Sequence, residues 1–318
     1  MSYLEKHREE IFKKYSNEEL VKDINSYKNG SGNLNKTLNH FFEELIWESC
    51  GKRTKISPMN ALKDDDFMEE VLKYIESKPK FFTSNEISNV KSYFRNSSSK
   101  VRKVANFNPK TARDIYFRYN DINGKRLNIL DTSSGFGSRM SSVVLSGHNY
   151  YGFDPNIKLN RKLNEYKTFL FNNDLIDNSL NIELICDGSE VYYDELKGII
   201  DVSFTSPPYF NLETYSNDSN QSSKNYDNYN KWIELFAKPT IINTYKYLKI
   251  GGHAMINIKN ISKKEPIYDD FIKLFNDIEG FKYIETFDMK IAKKNYGMAK
   301  GVGDIKNSEP IMVFKKIK

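Results

Sequence analysis

Cysteine is nearly absent from this chain: Cys50 and Cys186 are its only two, and their separation matches no metal or disulfide spacing. The sequence therefore supports neither a disulfide framework nor a zinc site, and free thiols in a reducing cytoplasm are expected. No run of about 18 apolar residues occurs, so no transmembrane helix is expected. Met1-Ser2-Tyr3-Leu4-Glu5-Lys6-His7-Arg8 carries charges where a signal peptide needs an apolar stretch. Internal repeats are lacking, and the N-terminal region has no convincing helix-turn-helix or zinc-finger signature. Without a phosphate-cradling glycine pair and its Lys-Ser/Thr, a P-loop is excluded.

What the chain does have is aromatic and apolar material. Phe and Tyr number 21 each in 318 residues, and 39% of the sequence is hydrophobic, ample for a packed core. The length suits one large domain, or a catalytic domain with a smaller companion. A net charge of +6 and a pI near 8.9 permit a polyanionic partner without establishing one.

Texture divides the chain. From Ser2 to about Lys103 the pattern is helical, with apolar residues at spacings of three and four in Tyr3-to-Tyr15, Leu38-to-Cys50 and Asp66-to-Ile75. Asp64-Asp65-Asp66 suits the positive end of that last helix. Polar breaks stand at Lys28-Asn29-Gly30-Ser31-Gly32 and Asn96-Ser97-Ser98-Ser99, and the second is the better boundary. The expected division is residues 1–103, helical, and 104–318. In the second part, Leu127-to-Leu130, Tyr150-to-Phe153, Ile182-to-Cys186, Asp201-to-Thr205 and His253-to-Ile258 read as buried strands separated by helical stretches. Tyr283-to-Ile291 and Pro310-to-Lys315 read as an antiparallel hairpin. The fold class is α/β: a doubly wound, mostly parallel, seven-stranded sheet with a C-terminal antiparallel hairpin, whose ligands belong beyond the carboxyl ends of the strands.

Those strand ends carry the chemistry. Ile129-Leu130-Asp131-Thr132-Ser133-Ser134-Gly135-Phe136-Gly137-Ser138-Arg139 is a strand, a glycine turn and a helix start, and Gly135 and Gly137 let backbone approach a ligand. Tyr151-Gly152-Phe153-Asp154-Pro155-Asn156 puts a carboxylate where it can accept both hydroxyls of a ribose. Leu184-Ile185-Cys186-Asp187-Gly188 adds an acid placed to accept from an adenine amine. Any one of these acids alone reads better as a helix cap. Together they form a sugar-and-base pocket.

Asp201-Val202-Ser203-Phe204-Thr205-Ser206-Pro207-Pro208-Tyr209-Phe210 ends the fourth strand. Pro207 and Pro208 stiffen the turn and remove two backbone donors, which leaves carbonyls free to face a ligand. The Ser206 hydroxyl and the Pro207 carbonyl suit the two hydrogens of an exocyclic amine. Tyr209 is placed to stack on a base, worth about 1–3 kcal/mol; Phe210 and Tyr215 are further substrate-contact candidates. The segment 215–229, rich in Asn, Ser, Asp and Tyr, reads as a loop that follows this motif.

Over residues 104–318 these motifs resemble those of the class I, Rossmann-like, S-adenosylmethionine-dependent methyltransferases, and Ser206-Pro207-Pro208-Tyr209 resembles the motif of the amino-methylating DNA enzymes. The resemblance implies that the turn Ser133-Ser134-Gly135-Phe136-Gly137 borders the methionine part of the cofactor. It places Asp154, with Pro155 and Asn156, at the ribose, and Asp187, with Gly188, at the adenine. Asp131 would orient the turn or bind the amino group of the methionine moiety. Phe107-Asn108-Pro109-Lys110-Thr111-Ala112 resembles the segment that closes over the methionine end, and Ser206 also borders the cofactor. Lys249-Ile250-Gly251-Gly252-His253 resembles the turn before the fifth strand, with His253 structural, and Glu309-to-Phe314 the last strand. Adenine-directed members usually have Asp or Asn in place of Ser206, so serine leans towards cytosine N4.

One departure concerns recognition. Families with this motif order usually append a target-recognition domain near the C-terminus, and none fits here. Recognition then falls to residues 1–103, to the 210–230 loop, or to a separate specificity partner. Lys52-Arg53-Thr54-Lys55 and Lys100-Val101-Arg102-Lys103 are candidate phosphate contacts, although such runs are commonly solvated surface. The expected activity is DNA modification of the restriction-modification kind, with base flipping. RNA or an already modified base as substrate, and an inactive nucleic-acid-binding subunit, are the rivals.

Overall fold

A computed structural model describes residues 1–51, 54, 56–97, 100–119, 124–210, 226, 228–260, 264–289 and 310–318. The chain divides into two compact units, Met1–Asn106, with which Phe210 groups, and Phe107–Tyr209 with Ser222–Lys318.

The first unit is helical: α1 Tyr3–Ile11, α2 Asn17–Lys28, α3 Asn35–Glu48, α4 Pro58–Ala61, α5 Asp65–Glu76 and α6 Glu86–Ser92, the last running into a π-helical turn, Tyr93–Ser97. The expected helix to Tyr15 stops at Ile11. The reason is a capping box, Ser16 with Glu19, that starts α2 at Asn17. Asp64 is the N-cap of α5, its carboxylate accepting from the Phe67 N–H at 3.0 Å, with Asp65 and Asp66 in the first turn. Trp47 lies fully buried between Phe12 and Phe94, both meeting it edge-on.

Lys103 corrects the expectation of a solvated basic run. Its ammonium lies 3.3 Å from the buried Glu43 and 5.4 Å from the Trp47 ring centre, and burial lowers its pKa. Val101 is fully buried and Lys100 pairs with Glu70 at 3.1 Å. Lys52, Arg53 and Lys55 lie outside the described residues.

The second unit holds a seven-stranded sheet: β1 Asn128–Asp131, β2 Asn149–Phe153, β3 Ile182–Ile185, β4 Ile200–Thr205, β5 Leu248–Asn257, β6 Phe281–Asp288 and β7 Pro310–Lys316. Its order is β3-β2-β1-β4-β5-β7-β6, parallel from β3 through β5, with β7 antiparallel to both β5 and β6. This is the doubly wound sheet with a C-terminal antiparallel pair that the sequence pattern predicts. Helices α7 Pro109–Tyr116, α8 Ser138–Val144, α9 Ile157–Asn172, α10 Tyr229–Trp232, α11 Lys238–Tyr247 and α12 Ile267–Asn276 accompany it. Every residue of β4 is buried, as a central parallel strand covered on both faces must be.

Two sequence expectations change here. The Lys249-to-His253 turn lies inside β5: Ile200 pairs with Leu248 and Val202 already with His253, so the extra residues bulge out. Gly251 has φ +87°, and a Cβ on Gly252 would sit 2.9 Å from the Asp201 carbonyl oxygen, which is why this bulge needs glycines. The hairpin's first strand covers Phe281–Asp288, and Ile291 lies outside the described residues. No helix among the described residues is long and apolar enough to cross a membrane.

Candidate active site

Strand order reverses between β1 and β4, whose outward neighbours are β2 and β5. Open α/β sheets bind ligands at such a switch point, beyond the carboxyl ends of the strands. Leu130 pairs with Ser203, so the chain leaves both strands at the same sheet edge. From β1 it enters the glycine turn, and from β4 it enters Ser206-Pro207-Pro208-Tyr209.

The glycine turn is tied down from beneath. Asp131 is fully buried, and its carboxylate accepts from Arg139 Nε at 2.8 Å, Arg139 Nη2 at 3.3 Å, the Tyr150 hydroxyl at 3.1 Å and the Ser133 N–H at 3.2 Å. Arg139 Nη2 also donates to the Ser133 carbonyl. Burial opposes the guanidinium charge, but Asp131 outweighs it and holds the Arg139 pKa above its ordinary value. Burial, then the Asp131 charge, push the Tyr150 phenol well up, so it remains a donor. Gly135 and Gly137 have φ +58° and +73°, the left-handed region that favours glycine. The Ser134 N–H donates to the Phe153 carbonyl at 2.8 Å, which joins the turn to the end of β2.

Asp154 follows β2, half-buried. It accepts the Asn156 N–H at 3.1 Å and the Gly135 N–H at 3.4 Å, so the acid and the glycine turn face each other. Burial raises its pKa from 3.8 to about 6, against the pull of those two hydrogen bonds. Asn156 caps α9, its side chain accepting from the Leu159 N–H at 3.1 Å, with the half-buried Pro155 between them in sequence. Asp187, after β3, accepts the Gly188 N–H at 2.8 Å and the Tyr193 hydroxyl at 3.2 Å. Beside it, Glu190 is pushed up by burial first, and its Oε1 accepts from the Tyr226 hydroxyl at 3.0 Å.

At the end of β4, Thr205 and Pro207 are buried, while Ser206, Pro208 and Tyr209 are half-buried. The Ser206 hydroxyl has no hydrogen-bond partner among the described residues, which leaves it free to accept from a ligand. Tyr209 is aimed from across the sheet: its hydroxyl accepts the Lys259 N–H, just beyond β5, at 3.1 Å. Phe210 is 7% exposed, and Tyr215 lies outside the described residues.

The segment before α7 meets the same region. The Phe107 ring packs edge-on against Phe204 at 5.6 Å, with the Arg139 guanidinium 5.7 Å from its centre. Asn108 is the N-cap of α7, accepting from the Thr111 N–H at 3.0 Å. His253 stacks on Tyr119 at 5.1 Å, and burial, then Lys315, lower its pKa.

Three contributors were not singled out from the sequence. Arg139 and Tyr150 reach Asp131 only through the strand-turn-helix geometry. Gly152 was the more legible, since glycine inside a strand marks close approach: a Cβ there would sit 2.4 Å from Ser134 Oγ and 2.5 Å from the Tyr150 ring.

No family model matches the sequence, and no curated protein matches it. Among solved structures the chain is similar to an rRNA methylase from Streptococcus thermophilus, at 16% identity over 68% of this chain and 100% of that one, with a TM-score of 0.40. It is similar to a TehB-like SAM-dependent methyltransferase from Corynebacterium glutamicum, at 15% identity over 72% and 97%, with a TM-score of 0.42. A SAM-dependent O-methyltransferase from Thermotoga maritima shows 12% identity over 68% of each chain and a TM-score of 0.40. Likeness this shallow fixes neither reaction nor acceptor.

Proposed function

We propose that this chain is an S-adenosylmethionine-dependent methyltransferase acting on an exocyclic amino group of a nucleobase in DNA, with cytosine N4 favoured over adenine N6. The observation that carries this reading is the meeting of two turns at one switch point. The glycine turn after β1 and the Ser206-to-Tyr209 turn after β4 leave paired strands at the same edge.

The residues present fit the cofactor. Asp154 and Asp187 end neighbouring strands beside the glycine turn, in the order that ribose and adenine require. The buried hydroxyls of Thr132 and Ser138 have no partner among the described residues, a polar shortfall that ligand sites commonly carry. Bound there, S-adenosylmethionine supplies a methyl group on a sulfonium. Asp154 accepts the ribose hydroxyls and Asp187 the adenine amine. The Ser206 hydroxyl and Pro207 carbonyl accept hydrogen bonds from the two hydrogens of the substrate amine, drawing its nitrogen out of conjugation so that its lone pair is available for attack. The methylated nitrogen then releases one of those hydrogens as a proton to solvent. Tyr209 holds the base by stacking, its ring steadied by Lys259. Most of the rate then comes from orientation, and no covalent enzyme intermediate is needed. Neither Cys50 nor Cys186 belongs to this turn, which disfavours attack on a pyrimidine ring. A duplex target must flip its base to reach the turn. Sequence recognition is assigned to the N-terminal unit, to the 210–230 segment or to a separate specificity partner.

Calorimetry with S-adenosylmethionine, followed by transfer of its labelled methyl group to DNA and to RNA, tests the reading. Binding with label on DNA amino groups is expected. Failure to bind the cofactor removes it, and label on RNA alone changes the substrate.

A further inference from the structure

The Asp131 carboxylate has two oxygens and room for about four donors, and it has four: two nitrogens of Arg139, the Tyr150 hydroxyl and the Ser133 N–H. It is also 0% exposed. Of the two roles the resemblance left open, binding an ammonium group therefore has no lone pair and no surface to use.

Arg139 is filled differently. A guanidinium carries five N–H donors in a fixed fork. Nε and Nη2 are engaged by Asp131 and the Ser133 carbonyl, but Nη1 has no hydrogen-bond partner among the described residues. Unlike the Thr132 and Ser138 hydroxyls, it is not sealed from solvent. The side chain as a whole is 8% exposed. Gly135 lies against the same guanidinium: a Cβ there would find Arg139 Nη2, at 3.6 Å, as its nearest neighbour. The two unfilled N–H donors of Nη1, on a buried cation, attract an anion, and a carboxylate oxygen can accept from them.

We propose that Arg139 is the residue that takes the carboxylate of the methionine moiety, and that Asp131 serves the cofactor only by holding Arg139 in place. This rests on the S-adenosylmethionine reading. It assigns the one anionic group of that molecule to a side chain already locked beneath the turn, and it gives Phe107, packed over the same guanidinium, a reason to lie there.

The test compares two ligands by calorimetry: S-adenosylmethionine and its decarboxylated form, which keeps the sulfonium and the amine. Wild-type protein is expected to prefer the carboxylated ligand by about 10- to 100-fold, the worth of a charged hydrogen-bonded pair. Arg139→Gln, which also loosens the turn, is expected to weaken both ligands but the carboxylated one about 10- to 100-fold more, so that the preference is lost. Should Arg139→Gln not fold, Arg139→Lys, which keeps the charge beside Asp131 but has no Nη1, carries the comparison with the same expected loss. Equal affinity of wild type for both ligands overturns the proposal. So does an Arg139 variant that weakens both ligands equally, because that is the mark of a structural role. Wild-type protein that binds neither ligand removes the cofactor reading itself, a result distinguishable from both.

Discussion

Burial lifts the Asp154 carboxyl from 3.8 to about 6, and the sign of its effect is set by that direction. A carboxyl raised in the folded state favours folding while protonated. Its contribution is complete below pH 3.8 and is lost as the pH rises through about 6. Ribose hydroxyls are best accepted by the ionised form, so cofactor affinity should fall as the pH drops below about 6, with proton release on binding near that pH. Calorimetry in buffers of different ionisation enthalpy detects the proton; Asp154→Asn should weaken binding and flatten the profile. An equally steep profile in that variant assigns the titration elsewhere. Ser206 and Tyr209 should behave in the opposite way. Ser206→Ala and Tyr209→Ala are expected to lower turnover about 10- to 100-fold while leaving cofactor affinity nearly unchanged. Wild-type turnover in Tyr209→Ala would refute its stacking role.

At the scale of elements, Gly152 in β2 is the tightest point beneath the turn. Gly152→Ala places a methyl 2.4 Å from Ser134 Oγ, which can turn aside, and 2.5 Å from the Tyr150 ring, which is fully buried and held by its hydrogen bond to Asp131. A loss of about 1–3 kcal/mol, read from urea unfolding, is expected from such overpacking; an unchanged midpoint means that the turn gives way freely. Proline shapes another element. The helix from Tyr229 to Tyr247 passes through a π-helical stretch, Ile233–Ala237, just before Pro239, which has no N–H for the Leu235 carbonyl. That carbonyl lies 3.3 Å from the Tyr226 hydroxyl instead. The parallel strands were legible because each is a short apolar run ending in an acid or small residue. Their limits were less so, since the Gly251-Gly252 bulge looks in sequence like the end of a connection. The motif residues of the turns could be read directly. Arg139 could not, because its meaning depends on folding back across the turn onto Asp131, and Tyr150 depends on the pairing of β1 with β2.

For the molecule as a whole, the division of labour between the two units is the open question the charges address. Lys103 reads in sequence as part of a basic run, but in the structure it is a partner for Glu43. Lys103→Met should destabilise the N-terminal unit by about 2 kcal/mol or more, since it leaves Glu43 with a weaker buried pairing. It should leave the salt dependence of DNA binding unchanged. A shallower salt dependence with unaltered stability would instead make Lys103 a phosphate contact. The central claim is that Ser206 and its neighbours accept an amino group of a DNA base, and mass spectrometry of nucleosides tests it most directly. Genomic DNA from cells expressing the chain should contain a base methylated on its amino nitrogen, N4-methylcytosine first among the candidates, and this base should vanish with Ser206→Ala. Methyl on carbon or on RNA alone, no new nucleoside, or the same product from Ser206→Ala would contradict the claim.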